Sequence, residues 1–367
     1  MTKKLLQRKQ LLIDTLSVQT SSGKEEQMIQ YIINFCIKNV PTAKIQVDNN
    51  NIYVTKGDSD IYPCIVSHTD TVHDIHKHYK VYDDDNCLFA FNAESGTQVG
   101  VGGDDKVGIW LALQMLLSQD IIKCAFFHSE EIGCVGSRQA NMSWFKDVGY
   151  CLQGDRRGNK DFVNSISGTL YSLAFAEDIA PIISKYGYQE TSGAITDVGQ
   201  LAENGIGVCV ANMSCGYFAP HSDQEIVEFL DANNCLDMIT HIVNELGCTL
   251  YTHEYTNKWN DLDWGDFSGA SRNYWFQDMQ KDSEVVVDED GYETCYYCEG
   301  ELKESEYGDE FRFCGDCNSD VIVKYEDDDY DDYDDYDDFE DVSENYDGSM
   351  AHKQIVNSHL TSYYKNK

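Results

Sequence analysis

Three times in the first half of the chain a short apolar run breaks abruptly into acids or histidine. Cys64-Ile-Val66 precedes Ser-His-Thr-Asp, Cys124-Ala-Phe-Phe127 precedes His-Ser-Glu-Glu, and Tyr150-Cys-Leu152 precedes Gln-Gly-Asp. Runs this short, apolar at consecutive positions, are what a strand needs when both faces of its sheet are covered. Helical spacing fills the intervals. Met28, Ile29, Ile32, Ile33 and Cys36 form one apolar face behind Ser22-Gly-Lys-Glu25, which reads as a capping box. Val107 to Leu117 reads as a second helix, and Ile226, Leu230, Ile239, Ile242, Val243 and Leu246 as a closing one. Such alternation from Leu5 to Glu245 predicts an α/β domain with a mixed, mostly parallel sheet. Ligands bind such sheets where strand carboxyl ends meet loops, so three polar strand ends predict one shared site.

The residues at those ends, with two more motifs downstream, carry a specific chemistry. His68 and Asp70 lie in Ser-His-Thr-Asp-Thr, Asp104 in Gly-Gly-Asp-Asp-Lys, Glu130 and Glu131 side by side, Asp155 in Gln-Gly-Asp-Arg-Arg, and His221 in Ala-Pro-His-Ser. Imidazoles and carboxylates are the ligands that suit a pair of zinc ions. A binuclear hydrolytic centre also needs a carboxylate shared between the ions and another to handle the proton of the attacking water.

Order and local sequence resemble the co-catalytic di-zinc exopeptidases, the clan containing peptidase T, glutamate carboxypeptidase and the zinc aminopeptidases, over roughly residues 8–246. Ser-His-Thr-Asp-Thr-Val is similar to that clan's first strand end, Gly103-Asp-Asp-Lys-Val-Gly to its bridging-aspartate motif, and Ser129-Glu-Glu-Ile-Gly to its paired glutamates. The resemblance implies a three-layer α/β/α fold in which Asp104 bridges two ions, His68 and Asp155 hold one, and Glu131 and His221 hold the other. It implies Glu130 as general base, Asp70 as the residue orienting His68, and Zn²⁺, replaceable by Co²⁺ or Mn²⁺, as cofactor. Only 66 positions separate Asp155 from His221, so the resemblance is to a compact form without the lid that many relatives insert there. The activity it implies is hydrolysis of short peptides from one end. The same metal chemistry serves an amidohydrolase acting on N-acyl amino acids, and a chain that has lost turnover would remain an interaction scaffold.

Other polar residues near these motifs take plainer readings. His73, His76 and His78 are expected in a solvated loop and Asp105 at a helix cap; Thr196-Asp197 has two readings, a part in shaping the pocket or a helix cap, and the cap is favoured. Tyr217 is a candidate to stabilise the oxyanion. Arg156 and Arg157 have two readings, a pair with a substrate carboxylate or a pair with an acidic neighbour, and the second is favoured.

Beyond residue 250 the pattern changes. Residues 251–290 read as a linker or irregular extension whose aromatics, including Trp259, Trp264, Trp275 and Phe276, are expected to dock on the first domain. In residues 291–322, Cys295-Tyr-Tyr-Cys298 and Cys314-Gly-Asp-Cys317 have the spacing of a four-thiolate zinc ribbon, a closed structural site. The other ten cysteines are scattered singly and read as buried thiols. Residues 323–349 contain a repeat of two acids and an aromatic, which self-repels and is expected to be a disordered acidic tail, ahead of a C-terminal segment 350–367.

The whole chain has 64 acids against 27 Lys and Arg, a net charge of −37, and 28 acids with three bases lie between Asp282 and Asp347. That field disfavours nucleic acid and anionic membranes, so a protein is the expected partner of the ribbon or tail. No run approaches the ~18 apolar residues a membrane span needs, and the basic start passes into an amphipathic pattern. The expected location is the cytoplasm.

Overall fold

The structure, a computed structural model, describes residues 2–256 and five short strands further on. The chain divides into two compact units, Met1–Asp263 and Trp264–Lys367.

The first unit opens with helices α1 (Lys3–Leu16) and α2 (Glu26–Asn39), followed by strands β1 (Lys44–Asp48), β2 (Asn51–Lys56), β3 (Tyr62–His68), β4 (Tyr79–Asp84), β5 (Cys87–Asn92) and β6 (Thr97–Val99). It continues through α3 (Gly103–Ser118), β7 (Ile122–Phe127), α4 (Val135–Arg138), β8 (Val148–Arg156), β9 (Asp161–Ser165), α5 (Leu173–Lys185) and β10 (Gln189–Ser192). It ends with α6 (Asp197–Glu203), β11 (Cys209–Ser214), β12 (Tyr217–Phe218), β13 (Ile226–Glu228) and α7 (Phe229–Leu246).

Eight strands form the main sheet in the order β1-β2-β7-β3-β8-β11-β9-β10. Its centre, β7-β3-β8-β11, is parallel, while β2 and β9 join it antiparallel. Burial explains the apolar runs: every residue of β3, β7 and β11 is buried, as are the first seven of β8. Pro63 has no N–H to give the ladder and stands where the β3–β8 register shifts. Helix α3, with α1 and α7 packed on it, crosses β7, β3 and β8, and α6, packed on α4, lies against β3, β8 and β11. The result is the expected three-layer α/β/α arrangement.

A second, smaller sheet runs β12-β13-β5-β4, with β6 on the far part of β5, and every pairing in it is antiparallel. It joins chain segments more than a hundred positions apart, because Val227 pairs with Leu88. Residues 251–256 still belong to this unit. Tyr251 exchanges backbone bonds with Gly149 and Cys209 (3.0 and 2.9 Å), and its ring meets Phe175 edge-on at 5.1 Å.

α3 carries the largest core side chain. Trp110 is fully buried, meets Phe229 of α7 at 6.5 Å and donates its indole N–H to the Arg8 carbonyl of α1 (2.9 Å). Truncation there leaves a cavity where three helices meet, so Trp110→Ala is expected to cost about 3–5 kcal/mol in denaturant unfolding. Of the ten cysteines in this unit, eight are buried and all are free; Cys87 is half-buried and Cys248 exposed. Among the described residues no helix is long and apolar enough to cross a membrane.

In the second unit, β14 (Val285–Val287) pairs antiparallel with β15 (Glu293–Cys295), and β16 (Leu302–Glu304), β17 (Phe311–Cys314) and β18 (Ser319–Ile322) form a three-stranded antiparallel sheet. Cys295 and Cys314 are thus the last residues of two hairpin strands. Cys298 and Cys317 lie outside the described residues, as do residues 257–284, which hold Trp259, Trp264, Trp275 and Phe276, and the acidic tail 323–349.

Candidate metal centre

The parallel strands deliver five of the seven predicted side chains, Asp70 following His68 just after β3. His68 ends β3, the Glu130–Glu131 pair follows β7, and Asp155 lies near the end of β8. β7 and β8 flank β3 on opposite sides, which makes the β3 end a point where the chain's path reverses and a crevice opens. The smaller sheet delivers the other two. β6 leads into the glycine-rich loop that carries Asp104, while the β12–β13 loop carries His221, and β5 binds both strands β6 and β13.

The side chains converge as two triads that share one residue. Ligand atoms of His68, Asp104 and Asp155 lie within 4.8 Å of one another, and so do those of Asp104, Glu131 and His221. Asp104 turns one oxygen to each side, Oδ1 to His68 Nε2 (3.1 Å) and Oδ2 to His221 Nε2 (3.4 Å). Asp155 Oδ1 lies 3.6 Å from His68 Nε2, and Glu131 Oε2 lies 3.1 Å from His221 Nε2. Two atoms that each bind one zinc at about 2.0–2.2 Å sit roughly 3–4 Å apart, so the donor set suits a cation in each triad. Buried Glu131 Oε1 has no hydrogen-bond partner among the described residues, as befits an atom reserved for a ligand. Glu130 belongs to neither triad, yet its Oε2 is 3.9 Å from His68 Nε2.

Outer partners fix the orientation of these groups. His68 Nδ1 faces the carbonyl oxygen and Oδ1 of Asp70 (3.1 and 3.3 Å), so with its proton there Nε2 presents a lone pair to the cluster. The Asp70 carboxylate also accepts the backbone N–H groups of Glu130 (2.9 Å) and Glu131 (3.3 Å) and the Ser22 hydroxyl (2.6 Å). One side chain therefore orients a candidate ligand and anchors the paired glutamates. Thr196 donates to Asp155 Oδ2 (2.9 Å), and Gln153 does the same (3.0 Å).

Crowded carboxylates push the titrations apart. Burial, with Asp155, Asp197 and Glu131 nearby, pushes the Glu130 carboxyl up to about 9, although His68 opposes the shift. Burial and the facing Asp104 raise Asp155 to about 6. For His68, burial disfavours the cation, but Asp155, Asp104 and Asp70 outweigh it and hold the imidazole well above its ordinary value. Hydrogen bonds to Asp104 and Glu131 raise His221 to about 10. A set that gathers protons in this way has a deficit of positive charge, which divalent cations would supply as the protons leave.

Some neighbours depart from the sequence reading and others follow it. Ser22 and Glu25 form no capping box: Ser22 serves Asp70, and buried Glu25 accepts from Thr69 and from Ser129 (3.0 Å). The Tyr217 hydroxyl faces Asp155 Oδ1 (3.4 Å), which makes it a partner of a candidate ligand. Arg156 pairs with Asp161 (2.7 Å), the acidic neighbour. The backbone of Asp104 and Asp105 breaks the helical path at the start of α3. Asp105 caps the regular helix that follows, accepting from Gly108 N (3.0 Å), and also holds the His68 backbone N–H (3.1 Å). Thr196 stands at the start of α6 without capping it, because its hydroxyl is spent on Gln153 and Asp155. His73 is not solvated: it bonds Glu225 (2.7 Å), a fully buried carboxylate that the sequence reading passed over. The available signal was Glu225's spacing of four residues after His221.

Comparison with solved structures finds the same overall fold in several peptidases. The chain is similar to aminopeptidase PepT from Bacillus cereus, with 11% identity over 66% of this chain and 98% of that one, at a TM-score of 0.54. It is likewise similar to a tripeptidase from Staphylococcus aureus (12% identity, 65% and 97% covered, TM-score 0.53) and to an aminopeptidase from the archaeon Desulfurococcus kamchatkensis (16%, 67% and 96%, 0.51). No protein-family model matches the sequence, and no curated protein does.

Proposed function

We propose that the first unit is a two-metal peptidase that removes residues from one end of short peptides. The observation that carries this reading is the placement of Asp104, whose two oxygens each face a separate imidazole–carboxylate pair. The peptidases that share its fold support the same class of substrate. His68 and Asp155 would hold one zinc ion, Glu131 and His221 the other, with Asp104 between them.

When bound, the ions supply the positive charge that polarises a scissile carbonyl and makes water a nucleophile at neutral pH. Glu130 handles the proton. It stands beside the cluster without joining a triad, and with bound cations offsetting the carboxylates that push it up its carboxylate would take a proton from the attacking water and return it to the leaving amine. Asp70 holds the Glu130 backbone and the His68 ring in one frame, which fixes base against ligand.

The test is hydrolysis of aminoacyl, dipeptide, tripeptide and N-acyl amino acid substrates by protein loaded with Zn²⁺, Co²⁺ or Mn²⁺. Release of terminal residues that stops on chelation is the expected result. Cleavage of N-acyl amino acids alone would shift the assignment to an amidohydrolase, and no turnover on any substrate would leave the scaffold reading.

For the rest of the chain we propose that Cys295, Cys298, Cys314 and Cys317 hold a structural zinc ion in residues 291–322, ahead of an acidic tail over 323–349. A protein partner, with neither nucleic acid nor membrane, and a cytoplasmic setting suit the charge.

A further inference from the structure

We propose that Glu225, together with His73, is a positioning residue that sets the Asp104–Glu131–His221 half of the centre, an inference that rests on the two-cation reading of the site. Glu225 is fully buried and uses both oxygens. Oε2 accepts the backbone N–H of Gly102 (2.6 Å) and faces His73 Nε2 (2.7 Å), while Oε1 accepts the backbone N–H of Asp104 itself (3.1 Å). With the carboxylate as acceptor, His73 carries its proton on Nε2. A buried charge is tolerated only when paired and hydrogen-bonded, and here two of the three donors are main-chain groups of the loop that presents the bridging carboxylate.

The same residue is tied to the other ligand loop. Glu225 follows His221 by four residues, and the intervening turn is closed by Ser222 Oγ donating to the Ala219 carbonyl (2.8 Å) and by Glu225 N donating to the Ser222 carbonyl (3.2 Å). His221 needs that support, because its side chain is 53% exposed and its backbone is left-handed at φ 60°. Glu225 thus fastens the loop of one ligand to the loop of the other. The fit is close: a Cβ on Gly103 would lie 2.6 Å from Tyr217 Cβ, and one on Gly100 would lie 2.0 Å from the His73 ring.

The opposite half has its own anchors. His68 is held by Asp105 and Asp70, and Asp155 by Thr196, Gln153 and Tyr217, so Glu225 bonds neither of them directly and reaches that half through the loop that presents Asp104. Loss of Glu225 should therefore be felt unequally by the two ions. Loss of an outer partner typically weakens metal binding about 10–100-fold.

The test is calorimetric zinc titration of the full chain with elemental analysis, on wild type, Glu225→Gln and His73→Asn, each checked for its metal-free unfolding midpoint. In Glu225→Gln one of the two catalytic-unit ions should bind about 10–100-fold more weakly while the other is held nearly as in wild type. His73→Asn, which leaves Glu225 and both main-chain donors in place, should shift the same ion in the same direction by less, and it carries the test if Glu225→Gln does not fold. Two unchanged affinities, or equal weakening of both, overturns the inference and leaves the two-cation reading standing. A wild-type unit that takes up no zinc overturns both.

Discussion

Glu130→Gln is expected to keep two metal ions in the first unit and to lose about 10²–10⁴-fold in kcat on a peptide that the wild type cleaves. The substitution preserves shape and removes only the ability to take a proton. The Glu130 backbone is fixed through its N–H to Asp70 (2.9 Å) and by the turn that Gly133 and Cys134 close onto its carbonyl (2.8 Å each). Those bonds do not involve the side chain, so the loop that also carries Glu131 should stay in place. Because Glu130 belongs to neither triad, metal content measured by elemental analysis should not fall. Turnover near the wild-type level with both ions present would remove Glu130 from the role of base.

The second large effect is expected at Asp104. Asp104→Asn should strip both ions, whereas Glu131→Gln should weaken one, because only Asp104 is common to the two triads. An amide presents one acceptor oxygen where the carboxylate presents two, and it brings no charge to balance a dication. The change also leaves an N–H group facing one of the imidazoles, His68 Nε2 or His221 Nε2, which now lie 3.1 and 3.4 Å from the two carboxylate oxygens. Activity should fall to background, and zinc affinity should drop by more than the about 10–100-fold that loss of an outer partner costs. Calorimetric titration of both variants checks this. Asp104→Asn retaining two tightly held ions would mean that Asp104 does not bridge.

How much of this was legible depended on where physics leaves a local trace. Strands β3, β7 and β8 were visible because burial on both faces writes itself as consecutive apolar residues, and their polar ends located His68, Asp70, Glu130, Glu131 and Asp155. The second sheet was not. In β4 the more exposed positions alternate with half-buried ones and the strand runs into Asp83-Asp-Asp85, so the sequence marks no strand over residues 79–92 although Leu88 and Ala90 are buried in the core. Missing that sheet hid why Asp104 and His221 meet. The Ser22–Glu25 pattern misled for the opposite reason: its local meaning is a helix cap, but both side chains were drawn to longer-range partners around the site. The His73–Glu225 bond spans 152 positions, and nothing in the spacing of either residue announces the other. Thr196 and Tyr217 draw notice in the sequence but not as partners of Asp155, and Gln153 draws none, because such contacts between common residue types leave no local trace.

The most direct measurement is an anomalous-scattering map of crystals grown with zinc, collected at the zinc edge. Two peaks should flank Asp104 in the first unit, one among His68, Asp104 and Asp155 and the other among Asp104, Glu131 and His221. A single peak, or peaks that leave Asp104 without a metal contact, would contradict the bridged two-metal centre.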